Sequence, residues 1–149
     1  MGFLSDFFFG KKIYFDDEIA GRFEARSRSQ NPNKKAGWSA ETALVNDQPT
    51  TLIILEGTVQ GPYPHQLKVV RQMIEGLEAM AHFAYEHMKK QPGEFSSFAA
   101  WQSTFYLSAL LASDDEFEIY FDTRDEEADG TVSLIWKNGQ ISFDSQVPE

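Results

Sequence analysis

No cysteine occurs in the chain, and that absence removes a disulfide framework, a thiolate metal site and a cysteine nucleophile together. It suits a reducing compartment, so a cytoplasmic location is expected. Positive charge is scarce as well: 13 Lys and Arg stand against 23 Asp and Glu, a formal net charge of −10. Nucleic acid and anionic lipid both select for cationic surfaces, so neither is an expected partner. Long apolar runs are also missing. The apolar cluster MGFLSDFFFG is short, carries Asp6 and has its lysines after it, so it reads neither as a signal peptide nor as a membrane span. Asp6 stands where N-myristoylation would need Ser or Thr. Phe3 with Phe7, and Leu4 with Phe8, are four apart, which suits packing on the domain itself or on a sister subunit. The sequence has no GxSxG turn and no GxxxxGK[ST] loop, and Gly57 and Gly61 are too widely set for a dinucleotide fingerprint. No cofactor is expected.

What is present describes one globular domain spanning residues 1–149, with 42% hydrophobic residues and 13 Phe to build a core. The organising stretch is His65 to Lys90. Leu67, Val70, Ile74, Leu77, Ala81, Ala84 and Met88 alternate spacings of three and four there, which predicts one long amphipathic helix with Pro64 in its first turn and Pro92-Gly93 as its stop. Before it, strands are predicted at Ile13 to Phe15, Gly21 to Ser27, Trp38 to Val45 and Thr50 to Glu56, with Ser27 to Gly37 as a loop. Leu52 to Leu55 is apolar on both faces and reads as a central strand. After it come a short helix from Glu94 to Trp101 and strands at Thr104 to Ala112, Glu116 to Thr123, Thr131 to Trp136 and Gln140 to Phe143, the last two joined by Asn138-Gly139. The expected class is α+β: a largely antiparallel sheet of about eight strands, in the order ββββ-α-(α)-ββββ, with one long central helix packed on one face.

Chemistry is thinly marked. The histidines His65, His82 and His87 all fall on the predicted helix, and Glu78, His82 and Glu86 are four apart, so those three share a helical face that offers metal-ligand chemistry. No HExxH pattern accompanies them, so an exposed face with spaced polar pairs is the simpler reading, and no metal is expected. His87 lies beside the apolar stripe and reads as a packed or capping histidine. Asp125 to Val132 begins like a calcium loop, but the closing twelfth position is Trp136, so an acidic Asp-Gly hairpin turn is expected there. Charge is concentrated instead. Asp114 to Asp129 holds nine acids against Arg124, while Arg22 to Lys35 holds five bases against Glu24. Glu116, Glu118, Tyr120 and Asp122 alternate along one strand face, and with Asp125 and Glu127 they form the candidate partner-binding set.

The layout resembles a group of small bacterial domains of unknown function, many of which look like the immunity proteins of polymorphic toxin systems. FFFGKKIYF, RFEAR, ETALV, the long helix, EFEIYFDTR and TVSLIWKNGQISF carry the resemblance. It implies a non-catalytic cytoplasmic interaction protein that neutralises a cognate toxin, and the acidic strands suit a basic toxin domain. The alternatives are a small-molecule- or metal-binding enzyme around Glu78, His82 and Glu86, and a homodimer or higher homo-oligomer joined through the aromatic N-terminus.

Overall fold

The computed structural model describes residues 10–27, 31–45, 48–88, 97–125 and 130–143. The strands are β1 (Lys11–Asp17), β2 (Gly21–Ser27), β3 (Lys35–Thr42), β4 (Thr51–Thr58), β5 (Gly61–Pro62), β6 (Phe105–Ser113), β7 (Glu116–Thr123), β8 (Thr131–Lys137) and β9 (Gln140–Phe143). They form one sheet in the order β1-β2-β3-β4-β6-β7-β8-β9, with β5 appended to β4. Short turns between neighbours make two antiparallel meanders, β1 to β4 and β6 to β9. The meanders meet in a parallel pairing of β4 with β6, where Leu52, Ile53 and Ile54 lie beside Ala109, Leu110 and Leu111. A parallel pair needs a long crossover, and the helices supply it.

Alternation places the core. Phe23, Ala25, Trp38, Ala40, Ile53, Leu55, Leu110, Phe117, Ile119, Phe121 and Leu134 point to one face and are buried. Their alternate neighbours, such as Glu24, Ser39, Ile54 and Glu118, are exposed on the other. Leu67, Val70, Met73, Met80, Ala81 and Ala84 from the helices complete the same core, so the helices cover one face of the sheet.

Among the described residues the helices are α1 (Pro64–Glu75), α2 (Leu77–Met88) and α3 (Phe98–Thr104). The single long helix expected over His65 to Lys90 is therefore two. Gly76 ends α1, donating its N–H to the carbonyls of Gln72 and Ile74, and glycine is among the poorest residues at holding a helix interior. The apolar stripe nevertheless persists, because Gln66, Met73 and Met80 stay in step at intervals of seven and are all buried. The element order is also corrected. Gly61–Pro62, read as linker, pairs with β4 as β5, so the order is five strands, three helices among the described residues, and four strands. This pairing needs its glycines: a Cβ on Gly57 would overlap the Gly61 carbonyl, and Gly61 has φ +150°.

Boundaries move elsewhere by a few residues. β1 is longer than expected, β3 starts at Lys35 inside the expected loop, and α3, capped by Ser97 whose hydroxyl accepts from the Ala100 N–H at 3.1 Å, runs past the expected end at Trp101 to Thr104, while Glu94 to Ser96 of the expected helix lie outside the described residues. β7 and β9 fall as expected, and Asn138 and Gly139 adopt the positive φ values of 53° and 79° that their two-residue hairpin demands. The aromatic N-terminal cluster through Phe9 lies outside the described residues, as do Glu126 to Asp129 of the suspected calcium loop. No helix of the described residues is long and apolar enough to cross a membrane.

Candidate functional site

Among the described residues no element covers the face of the sheet opposite the helices, here called the uncovered face, and strand register lets its side chains be read row by row. One row crosses the whole sheet: Tyr14, Glu24, Ser39, Ile54, Leu111, Glu118, Ile135 and Ser142 stand side by side from β1 to β9. The next row brings Glu41, Leu52, Ala109, Tyr120 and Ser133 into line. At the middle of this face Ile54, exposed to 38%, and the half-buried Leu52 and Leu111 therefore form an aliphatic patch, with Ile135 beyond Glu118 in the same row.

The charges around the patch divide into compensated and uncompensated. Arg22 forks onto Asp16 at 2.7 and 3.1 Å and lies 5.4 Å over the Tyr14 ring; its hydrogen bond holds the Asp16 carboxyl below the ordinary range. Lys12 reaches Glu24 at 3.7 Å. Lys137 pairs with Glu116 at 2.9 Å and is itself shifted up by that bond. Glu118 accepts from the Tyr120 hydroxyl at 2.8 Å and Asp122 from the Thr131 hydroxyl at 2.7 Å, and neither has a cation partner among the described residues. Glu41 has none there either. The patch is thus edged on one side by Glu41 and on the other by Glu118 and Asp122, acids that no described cation neutralises.

Of the sequence-predicted partner-binding residues, Glu118, Tyr120 and Asp122 share this face; Glu116 does too but is paired with Lys137. Asp125 lies just beyond the end of β7, exposed, its carbonyl accepting from the Thr123 hydroxyl at 2.9 Å. Glu127 lies outside the described residues. Sequence reasoning missed Glu41, Ile54, Leu111 and Ile135, which come from four different strands. The signal was partly there: Leu52 to Leu55 is apolar on both faces and reads as a central strand, which β4 is, and Ile54 stands exposed on the side that no described element covers.

The helix-face residues Glu78, His82 and Glu86 are exposed on α2. The His82 ring stacks on Phe98 at 3.9 Å and meets Tyr85 edge-on at 6.2 Å, so it serves the packing of α2 against α3. Among the described residues no group of three or more His, Asp or Glu side chains is arranged to hold a metal ion. His87 stacks on Phe143 at 3.4 Å, and His65 on Tyr63 at 5.7 Å with its Nε2 3.8 Å from the Asp115 carboxylate.

Two further polar clusters are explained by structure. Asp17, whose side chain is 3% exposed, accepts from the backbone N–H groups of Ile19 and Ala20 in the β1–β2 turn and from Arg71 of α1. Glu56 and the buried Gln66 tie β4, α1 and the β6–β7 turn together. Their donors and acceptors are matched within each cluster, as buried polar groups require.

A cleft of about 430 Å³ opens where β6 runs past the start of β4. Trp101, Phe105 and Phe121 form its floor, and Glu78 and Tyr106 stand among its walls. β6 carries a bulge between Leu107 and Ala109 at this place, secured by the Thr51 hydroxyl donating to the Leu107 carbonyl at 2.7 Å.

Neither the protein families, nor the curated proteins, nor the solved structures give a significant match to this chain. The fold and the site stand on their own geometry.

Proposed function

We propose that this is a non-catalytic protein-binding module whose binding surface is the uncovered face of the sheet. The observation that carries the reading is the aliphatic patch of Leu52, Ile54 and Leu111 flanked by Glu41, Glu118 and Asp122, acids that no described cation neutralises. Apolar centres with a charged rim are the usual anatomy of an interface, and a rim of one sign selects a partner of the other. The partner is a protein that presents an apolar projection ringed by lysine and arginine. A sheet face is also rigid, so little conformational entropy is lost on association.

The specific form of this reading is neutralisation of a basic toxin domain. It rests on the resemblance of FFFGKKIYF, EFEIYFDTR and TVSLIWKNGQISF to immunity-type domains, together with the net charge of −10. Affinity capture from the source cell, with wild type run beside Ile54→Lys and Glu118→Lys/Asp122→Lys variants, tests the reading. A basic protein retained by wild type in a salt-sensitive way and lost from both variants is expected. Equal retention by all three places the binding surface elsewhere, and a captured protein without toxic activity removes the toxin-specific form.

A further inference from the structure

The cleft at the start of β4 borders the uncovered face at Tyr106, which stands opposite Asp122 in register, but opens between β6 and α2 and has a chemistry of its own. We infer that it is a binding site for a small organic cation with an apolar body, such as an arylalkyl ammonium ion. Its volume, about 430 Å³, lies within the range of ligand sites, which runs from roughly 300 to 1,000 Å³. The floor is aromatic and firmly held. Trp101 stacks on Phe105 at 5.2 Å and 17° and meets Phe121 at 5.4 Å and 61°, while its indole N–H donates to the Met88 sulfur at 3.1 Å. Leu77, Ala81 and Val45 add aliphatic wall.

Charge decides the class of ligand. Among the described lining residues Glu78 is the one ionisable acid or base apart from the Tyr106 phenol, and no Lys, Arg or His joins it. No described residue forms an ion pair with Glu78. Its carboxylate favours a cation through charge, and the aromatic floor favours an apolar body. An anion would meet Glu78 with no compensating donor of positive charge. The end of the β4–β6 pairing explains why the cleft exists here: β4 meets β6 in register only from Ala109 onward, so along Phe105 to Leu107 that edge of β6 is free of ladder pairing with β4, and Tyr106 from one side of the strand and Phe105 from the other can border the same space.

The test uses three probes of matched size, 2-phenylethylammonium, 2-phenylethanol and phenylacetate, titrated into the full chain and followed by amide chemical shifts. Saturable shifts for the ammonium ion, centred on Leu77, Ala81, Gln102 and Tyr106, are expected. An exposed charge contact predicts weakening of about fivefold for the alcohol and for the ammonium ion against Glu78→Gln, with no saturable binding of phenylacetate. Glu118→Gln, on the uncovered face, leaves the titration unchanged. Glu78 is exposed at the start of α2, so its replacement keeps the fold. Absence of saturable shifts, shifts centred elsewhere, equal affinity for the three probes, or undiminished affinity in Glu78→Gln each overturns the assignment.

Discussion

Gln66 and Glu56 grip each other in both directions: the Gln66 amide oxygen accepts the Glu56 backbone N–H at 2.8 Å, and its amide nitrogen donates to Glu56 Oε1 at 2.9 Å. The second amide hydrogen reaches the Asp114 carbonyl at 3.0 Å, while Glu56 Oε1 also accepts the Asp114 N–H at 2.6 Å. One side chain, 1% exposed, thus joins the first helix to both meanders of the sheet. Gln66→Leu keeps the bulk and leaves these partners unpaired, so it should destabilise the fold by about 2–3 kcal/mol. Urea unfolding with an unchanged m-value is the measurement, and a stability equal to wild type would show the network to be ornamental.

Acid should weaken the fold through two carboxylates. The Asp114 N–H, followed by Gln66, holds the Glu56 carboxyl below its ordinary value of 4.5. Burial opposes the charge on Asp17, but the hydrogen bonds from Arg71, Ala20 and Ile19 together outweigh it and hold Asp17 below 3.8. A depressed folded pKa means stability that is fully present above the unfolded value and lost as pH falls through the folded one. The stability difference between wild type and a Glu56→Gln/Asp17→Asn variant should therefore be largest near neutrality and shrink below pH 4.5. Denaturant titrations at several pH values read this directly, and a difference that grows on acidification would reverse the assignment.

At the β4–β5 pairing, Gly57→Ala sets a methyl group against the Gly61 carbonyl and the Pro62 backbone. Backbone cannot swing aside as a long side chain can, so the expected loss is at least about 2 kcal/mol. Gly37→Ala on the neighbouring strand, where an added Cβ meets nothing within 4 Å, is the matched control and should change stability little. Thermal unfolding of the two variants side by side separates a steric effect from a general dislike of alanine.

On the uncovered face, Ile54→Lys removes an exposed apolar side chain and should cost less than about 1 kcal/mol of stability. Binding to the captured partner should fall by at least about tenfold, since the centre of an interface carries most of its energy. Glu118→Lys/Asp122→Lys should slow association most at low ionic strength, because rim charges act mainly through steering. Surface plasmon resonance at two salt concentrations distinguishes the two effects; loss of binding with salt-independent association would mean that these acids do not face the partner.

Much of the fold was legible because alternation is a local property. Phe117, Ile119 and Phe121 against Glu116, Glu118 and Asp122 mark β7 to the residue, and Asn138-Gly139 marks the β8–β9 hairpin. The broken helix was harder to read: Gly76 ends α1 without disturbing the seven-residue step from Met73 to Met80, so the hydrophobic pattern runs through it unchanged. The candidate site was only half visible. Glu118 and Asp122 are neighbours along one strand, whereas Glu41, Ile54, Leu111 and Ile135 come together through register between strands distant in sequence. The cleft was invisible for the same reason, since Glu78 on α2 and Tyr106 on β6 meet only through packing between elements distant in sequence.

The parallel contact between β4 and β6 also bears on how the molecule assembles. Each meander closes through turns of a few residues, whereas Leu52 must find Ala109 across the whole helical crossover. Loop-closure entropy places such a pairing late, so the hairpins form first and the two halves dock through β4 and β6 as the helices settle. Hydrogen exchange would then divide the sheet into two cooperative units with their border along that seam, and a pair of fragments cut within the crossover would be complementary halves of one sheet.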